Sequence, residues 1–176
     1  MAGWQSYVDN LMCDGCCQEA AIVGYCDAKY VWAATAGGVF QSITPIEIDM
    51  IVGKDREGFF TNGLTLGAKK CSVIRDSLYV DGDCTMDIRT KSQGGEPTYN
   101  VAVSRAGRAL VTVTGREGVH RGTLNKKACE LTLCLRRSDV EAASHRLHSN
   151  SLHHHPNSGH SATRLLDGSK FSLPIF

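Results

Sequence analysis

The sequence has almost no net charge: 19 lysines and arginines stand against 18 aspartates and glutamates, a formal +1 over 176 residues. No bulk field therefore draws the chain to nucleic acid, and any anion site has to be a local cluster. No run of about 18 apolar residues occurs, which excludes a transmembrane helix. The start has no basic region followed by an apolar stretch and a small-residue cleavage site, so a soluble cytoplasmic protein is expected. Catalytic motifs are missing too. There is no Gly-x-Ser-x-Gly, no His-Glu-x-x-His and no phosphate-cradling glycine loop, so an enzyme is not expected. Cys13-x-x-Cys16 followed by Cys17 is half a zinc site, but Cys26, Cys71, Cys84, Cys129 and Cys134 supply no second pair at ligand spacing. It also ends a predicted helix, whereas a thioredoxin-type site opens one after a strand. All eight cysteines read as reduced thiols, Cys71 and Cys84 as small hydrophobes in strand-like runs. Neither a metal nor a cofactor is expected.

What is present begins with Ala2-Gly3-Trp4-Gln5-Ser6-Tyr7-Val8-Asp9-Asn10-Leu11. On a helix Trp4 and Tyr7 share one face, and Val8, Leu11 and Met12 form an adjoining apolar stripe. The aliphatic stripe suits a core. The aromatics either join that core, the commoner outcome, or stay partly exposed for a use. A second tryptophan, Trp32, favours a use. The length suits one domain with a core that needs no disulfides.

In chain order, 19–25 and 30–35 read as a strand hairpin. Thr44-Pro45-Ile46-Glu47 carries a capping box with proline at the first helical position, predicting a helix through about Val52. Residues 63–67 read as a turn-rich connection into a long strand over 69–80, which Asp81-Gly82-Asp83 turns into a strand over 84–90. Strands over 98–103 and 109–114 complete an antiparallel meander. A last helix is expected from Arg121 or Gly122 to Arg136, with Leu124, Ala128, Leu131 and Leu135 facing the core beside the first helix. Beyond it the composition changes. Residues 141–176 hold six of the seven histidines and many serines without periodicity, and are expected to be a disordered His/Ser-rich tail after a domain over 1–140. Its histidines have no fixed geometry for a physiological metal site. The closing Phe171-Ser172-Leu173-Pro174-Ile175-Phe176 is an apolar terminus.

The stretches AGWQSYVDNL, EAAIVGY, FFTNGLTLGAKKCSVIRDSL, MDIRTKSQGG and REGVH followed by NKK together resemble profilins of the vertebrate type. The resemblance gives way near Val140. It implies an α+β fold, an antiparallel sheet with the N- and C-terminal helices together on one face. It also implies a non-enzymatic, cytoskeleton-associated protein that binds monomeric actin, proline-rich ligands and phosphoinositides.

Position by position, the resemblance assigns the proline-rich site to Trp4, Tyr7 and Trp32. Flat rings of that kind pack against the pyrrolidines of a preformed polyproline II helix. Two wall positions depart from the family: Cys134 stands where relatives carry His or Tyr, and Val140 where many carry Tyr or Phe. Aromatic anchors are commonly worth ~2 kcal/mol each, so weakened proline binding is expected.

The actin surface implied by the resemblance takes Phe60, Lys70, Ser72, Val73, Ile74, Arg75, Arg89 and Lys91 from the middle of the chain. Thr98, Asn100, Val119, His120, Gly122, Asn125, Lys126 and Glu130 complete it. This is an apolar centre framed by cations, suited to an acidic partner. Without the resemblance the same residues would read as a solvated basic face, and His120 as an ordinary loop histidine. Arg121 replaces a glycine of the family pattern, adding bulk and charge and removing φ > 0 freedom. Phosphoinositide head groups are assigned to Arg89, Arg136 and Arg137, able to grip phosphates bidentately. An Arg-Arg pair near a helix C-terminus also complements the macrodipole without any ligand.

Thr112 and Thr114 stand in a strand that relatives fill with apolar groups. Buried there, each costs ~1–3 kcal/mol, so a fold less stable than its relatives is expected. The second functional reading is a profilin-like copy that folds but no longer couples actin to proline-rich ligands, acting as an interaction module.

Overall fold

The computed structural model describes residues 3–26 and 28–152, with backbone alone for 138–152. Helix α1 (Gly3–Met12) buries Tyr7, Val8 and Leu11, positions one turn apart on one face. Strand β1 (Cys17–Gly24) leaves only Gln18 exposed, and β2 (Val31–Ala34) pairs with it. A 3-10 turn over Val39–Ser42 leads to α2 (Pro45–Val52) and α3 (Gly58–Asn62). Strands β3 (Leu64–Leu66), β4 (Lys69–Ser77), β5 (Thr85–Thr90), β6 (Asn100–Arg105) and β7 (Ala109–Gly115) follow, and α4 (Arg121–Leu152) closes the described chain. The strands form one seven-stranded antiparallel sheet in the order β2-β1-β7-β6-β5-β4-β3. The expected α+β arrangement stands, with α1 and α4 on one face.

The sheet is covered on both sides, which explains why all seven residues of β7 are buried. Ala20, Ile22, Val111 and Val113 face α1 and α4, meeting Tyr7, Leu11, Leu124, Ala128, Leu131 and Leu135. Val23, Leu110, Val103 and Ile88 point the other way onto Phe40, Ile48, Ile51 and Phe59. Thr112 and Thr114 are both buried as expected, and the Thr112 hydroxyl donates to the Ala21 carbonyl at 3.4 Å. Thr114 lines a half-open pocket of about 200 Å³ with Gln18, Glu19, Phe40, Leu66, Lys69 and Val101.

The capping box of α2 forms as read. The Thr44 hydroxyl accepts from the Glu47 N–H at 3.2 Å while the Glu47 carboxylate accepts from the Thr44 N–H at 3.1 Å. Glu47 goes further than a cap: it also accepts from the Thr65 hydroxyl and the Gly67 and Ala68 N–H groups, fastening α2 to the β3–β4 turn. The 3-10 turn and α3 have no counterpart in the sequence reading, and two further elements depart from expectation. The turn-rich stretch contains the short strand β3, paired through Leu64 to Cys71. Helix α4 continues past Arg136 to Leu152, so 141–152 is helical where a tail was expected; 153–176 lies outside the described residues.

Candidate functional site

Two surfaces carry the expected residues. The first is an aromatic cleft between α1, β2 and α4. Trp4 and Trp32 lie with ring centroids 4.7 Å apart at 49°, and Trp4 and Tyr7 5.7 Å apart at 46°. The Trp32 indole lies on β1 at Gly24, where a Cβ would come within 2.4 Å of the indole Nε1. Glycine is thus what lets the ring settle there. The tryptophans are half-buried, but Tyr7 is 1% exposed, a core residue that supports Trp4 from beneath. Burial, with a smaller contribution from the Cys134 thiol, pushes the Tyr7 phenol pKa up and keeps it an O–H donor. Cys134 is half-buried and packs on the same cluster, with none of the flat area an aromatic would add. The Val140 side chain lies outside the described residues.

The second surface is the sheet face beside the start of α4. Ser72, Arg89 and Asn100 stand in register on β4, β5 and β6. Arg89 donates through Nε to the Thr98 hydroxyl at 3.0 Å and through Nη1 to Asn100 Oδ1 at 2.7 Å. Asn100 Nδ2 in turn donates to the Val119 carbonyl at 3.0 Å, joining the row to His120 and the first turn of α4. Four of the expected residues, Arg89, Thr98, Asn100 and Val119, are therefore one bonded ridge, with Ser72 in register beside it.

A second row lies beside it. Arg75 donates through Nε to Asp87 at 2.9 Å, and its remaining nitrogens reach Asp83, Ser77 and Thr85. Asn125 Nδ2 donates to the other Asp87 oxygen at 2.7 Å. The Arg75 charge is thereby balanced within the protein, leaving it a positioning group. By contrast Lys70, Arg89, Lys91 and Lys126 are exposed and form no ion pair with a described carboxylate. These four supply the surface its uncompensated positive charge. Exposed Ile74 and Phe60 supply apolar area, at 45% and 51% exposure, and Gly122 and Glu130 are exposed on α4.

Val73 does not belong to this surface. It points into the opposite core at 7% exposure, because strand alternation puts Val73 with buried Cys71 on the face opposite Ser72; the bulge at Ile74 comes only after it. Arg121 opens α4 with no positive φ, so the lost backbone freedom considered above has no structural counterpart. What it adds is a positive charge at the positive end of the helix dipole. The residue that sequence reading missed is Asp87, buried at 4% and holding both Arg75 and Asn125. Its signal was a carboxylate set inside the apolar alternation Met86-Asp87-Ile88.

The three arginines expected to meet phosphoinositide head groups are not brought together. Arg89 sits beside Asn100 at one end of β6, while Arg136 donates to the Arg105 carbonyl at the other end. Five residues of strand separate these ends, about 17 Å. Arg137 is exposed one residue beyond Arg136 on α4.

A family model described as Profilin matches residues 2–140. The chain belongs to the profilin family. Human Profilin-2 is 90% identical over 138 residues, spanning 78% of this chain and 99% of that protein, and bovine Profilin-1 is 60% identical over the same length. The crystal structure of human profilin II superposes with a TM-score of 0.76 at 94% identity, covering 77% of this chain and 99% of that one. Mouse profilin IIa, solved in complex with a double repeat from the FH1 domain of mDia1, superposes at 0.77 with 88% identity over 78% and 99% of the two chains. Profilins are non-enzymatic proteins, so the surfaces described above are to be read as binding surfaces. Among the described residues no helix is long and apolar enough to cross a membrane.

Proposed function

We propose that this chain is a cytoplasmic, cytoskeleton-associated protein that binds monomeric actin and regulates actin dynamics. The observation that carries the reading is the ridge from Ser72 through Arg89 and Asn100 to Val119, flanked by Lys70, Lys91 and Lys126, which pair with no described carboxylate, and by exposed Ile74 and Phe60. An apolar patch framed by positive charge fits an acidic protein partner of standard interface size. The aromatic cleft takes proline-rich segments, weakly, because Cys134 replaces aromatic area on the α4 wall. The mouse relative in complex with an FH1 repeat supports the class of ligand. Phosphoinositide head groups meet two separate basic points, Arg89 and the Arg136–Arg137 pair, which makes multivalent capture of one head group weak. The alternative of a folded copy without actin or proline coupling has no observation in its favour.

Titration of labelled monomeric actin with the full chain tests the actin assignment, and a decaproline peptide followed by tryptophan fluorescence tests the cleft. Saturable binding in both supports the reading. Absence of actin binding by folded protein refutes it.

A further inference from the structure

The segment Phe171-Ser172-Leu173-Pro174-Ile175-Phe176 lies beyond the profilin-family region and has no part in the function above. We propose that it is an internal ligand of the aromatic cleft, competing in cis with proline-rich partners. The inference rests on the cleft being the proline-rich site.

The connection of the chain supplies the first argument. Helix α4 walls the cleft through Cys134 and then continues to Leu152. At 1.5 Å per residue its end stands about 27 Å beyond the cleft. The chain from there to Pro174 reaches about 75 Å when extended. The segment is therefore tethered to the wall of the site it would fill, with ample length to return.

The chemistry supplies the second. The cleft offers two half-buried indoles and, at Cys134, a thiol in place of a bulky ring. A wall recessed in this way suits aliphatic side chains beside a proline. Leu173, Pro174 and Ile175 are that combination, and 171–176 contains no ionised side chain whose desolvation would oppose docking.

Magnitude decides whether so short a segment matters. A free peptide with one proline binding at about 1 mM would be negligible in trans. Tethered, it meets the cleft at an effective concentration of the order of 1 mM. The cleft is then about half occupied by its own chain, and a proline-rich partner binds about twofold more weakly.

Trp4 and Trp32, the only two tryptophans of the chain, both lie in the cleft, so fluorescence reads this site alone. The test compares the full chain with a full-length variant carrying Leu173→Ser, Pro174→Ser and Ile175→Ser. The proposal expects red-shifted emission in the variant and an about twofold tighter apparent Kd for decaproline. Identical emission and identical Kd in the two proteins overturn it. If neither protein binds decaproline at millimolar concentration, the proline-site reading fails and the emission difference alone decides the docking. Emission of the full chain that changes with its own concentration identifies a second copy as the occupant and overturns docking in cis.

Discussion

Asn125 on α4 and Asp87 on β5 are joined by a 2.7 Å hydrogen bond inside the protein, and the same carboxylate holds Arg75. The first turns of α4 are thus fixed against the sheet by a buried charge. That link sets the spacing between the polar ridge and the helix beside it, which together make up the proposed actin surface. Replacing Asp87 by alanine leaves a partly buried guanidinium facing Asp83 alone and removes the Asn125 acceptor. The expected loss is about 2–3 kcal/mol of stability, read as a lower urea midpoint with an unchanged slope. Asn125→Ala is expected to cost about 1 kcal/mol because Arg75 still satisfies Asp87.

Two buried glutamates act on stability with opposite signs. Burial works to raise the Glu47 pKa, but four hydrogen bonds outweigh it and hold the carboxyl below its usual value. A lowered folded pKa stabilises above the unfolded pKa, and that contribution is lost as pH falls through the folded value. Glu19 is raised by burial, only partly offset by the Phe40 and Val39 N–H groups, so its contribution is present at low pH and lost as pH rises. Denaturation followed between pH 7 and pH 3 should therefore show Glu47→Gln losing stability at neutral pH and flattening the acid decline. Glu19→Gln should gain stability at neutral pH, since Gln keeps the acceptor for Phe40 without the buried charge.

The Thr114 pocket gives a cavity-filling prediction. A strand position facing about 200 Å³ of space among Phe40, Leu66 and Val101 has room for a larger apolar group. Thr114→Leu is expected to raise stability by about 1 kcal/mol. An unchanged or lower thermal midpoint would show that the space is closed in solution.

Gly24 makes the cleft testable without touching an aromatic residue. A methyl group there overlaps the Trp32 indole, whose Nε1, Cε2 and Cζ2 all lie within 2.7 Å of the added carbon. Gly24→Ala should displace the ring, change tryptophan emission and weaken decaproline binding about tenfold, or about 1.4 kcal/mol. Retained affinity would place the ligand elsewhere.

What the sequence made legible was what local chemistry decides. The α2 capping box is written in four adjacent residues and formed as read. The core stripe of α4 followed from spacing, because Leu124, Ala128, Leu131 and Leu135 recur at the helical period. Strand β3 was hidden because its three residues lie between Gly63 and Gly67, both at positive φ, and only pairing with β4 makes them a strand. Val73 came with its motif stretch rather than from a face count, and strand alternation with Cys71 turns it into the core. The continuation of α4 to Leu152 has Val140, Ala143 and Leu147 at helical spacing, a signal masked by the shift of composition towards Ser and His over 141–176. The separation of Arg89 from Arg136 is a property of sheet register, which no motif in one strand records.

The central claim is that the ridge and its cations bind monomeric actin, and the affinity of the full chain for actin monomers tests it most directly. The account predicts a Kd of the order of 1–10 μM, weakened at least about tenfold by Arg89→Glu and by a smaller factor by Arg121→Gly, which removes a positive charge from the contact region. Folded protein that fails to bind at about 100 μM, or that binds equally with Arg89→Glu, would contradict it.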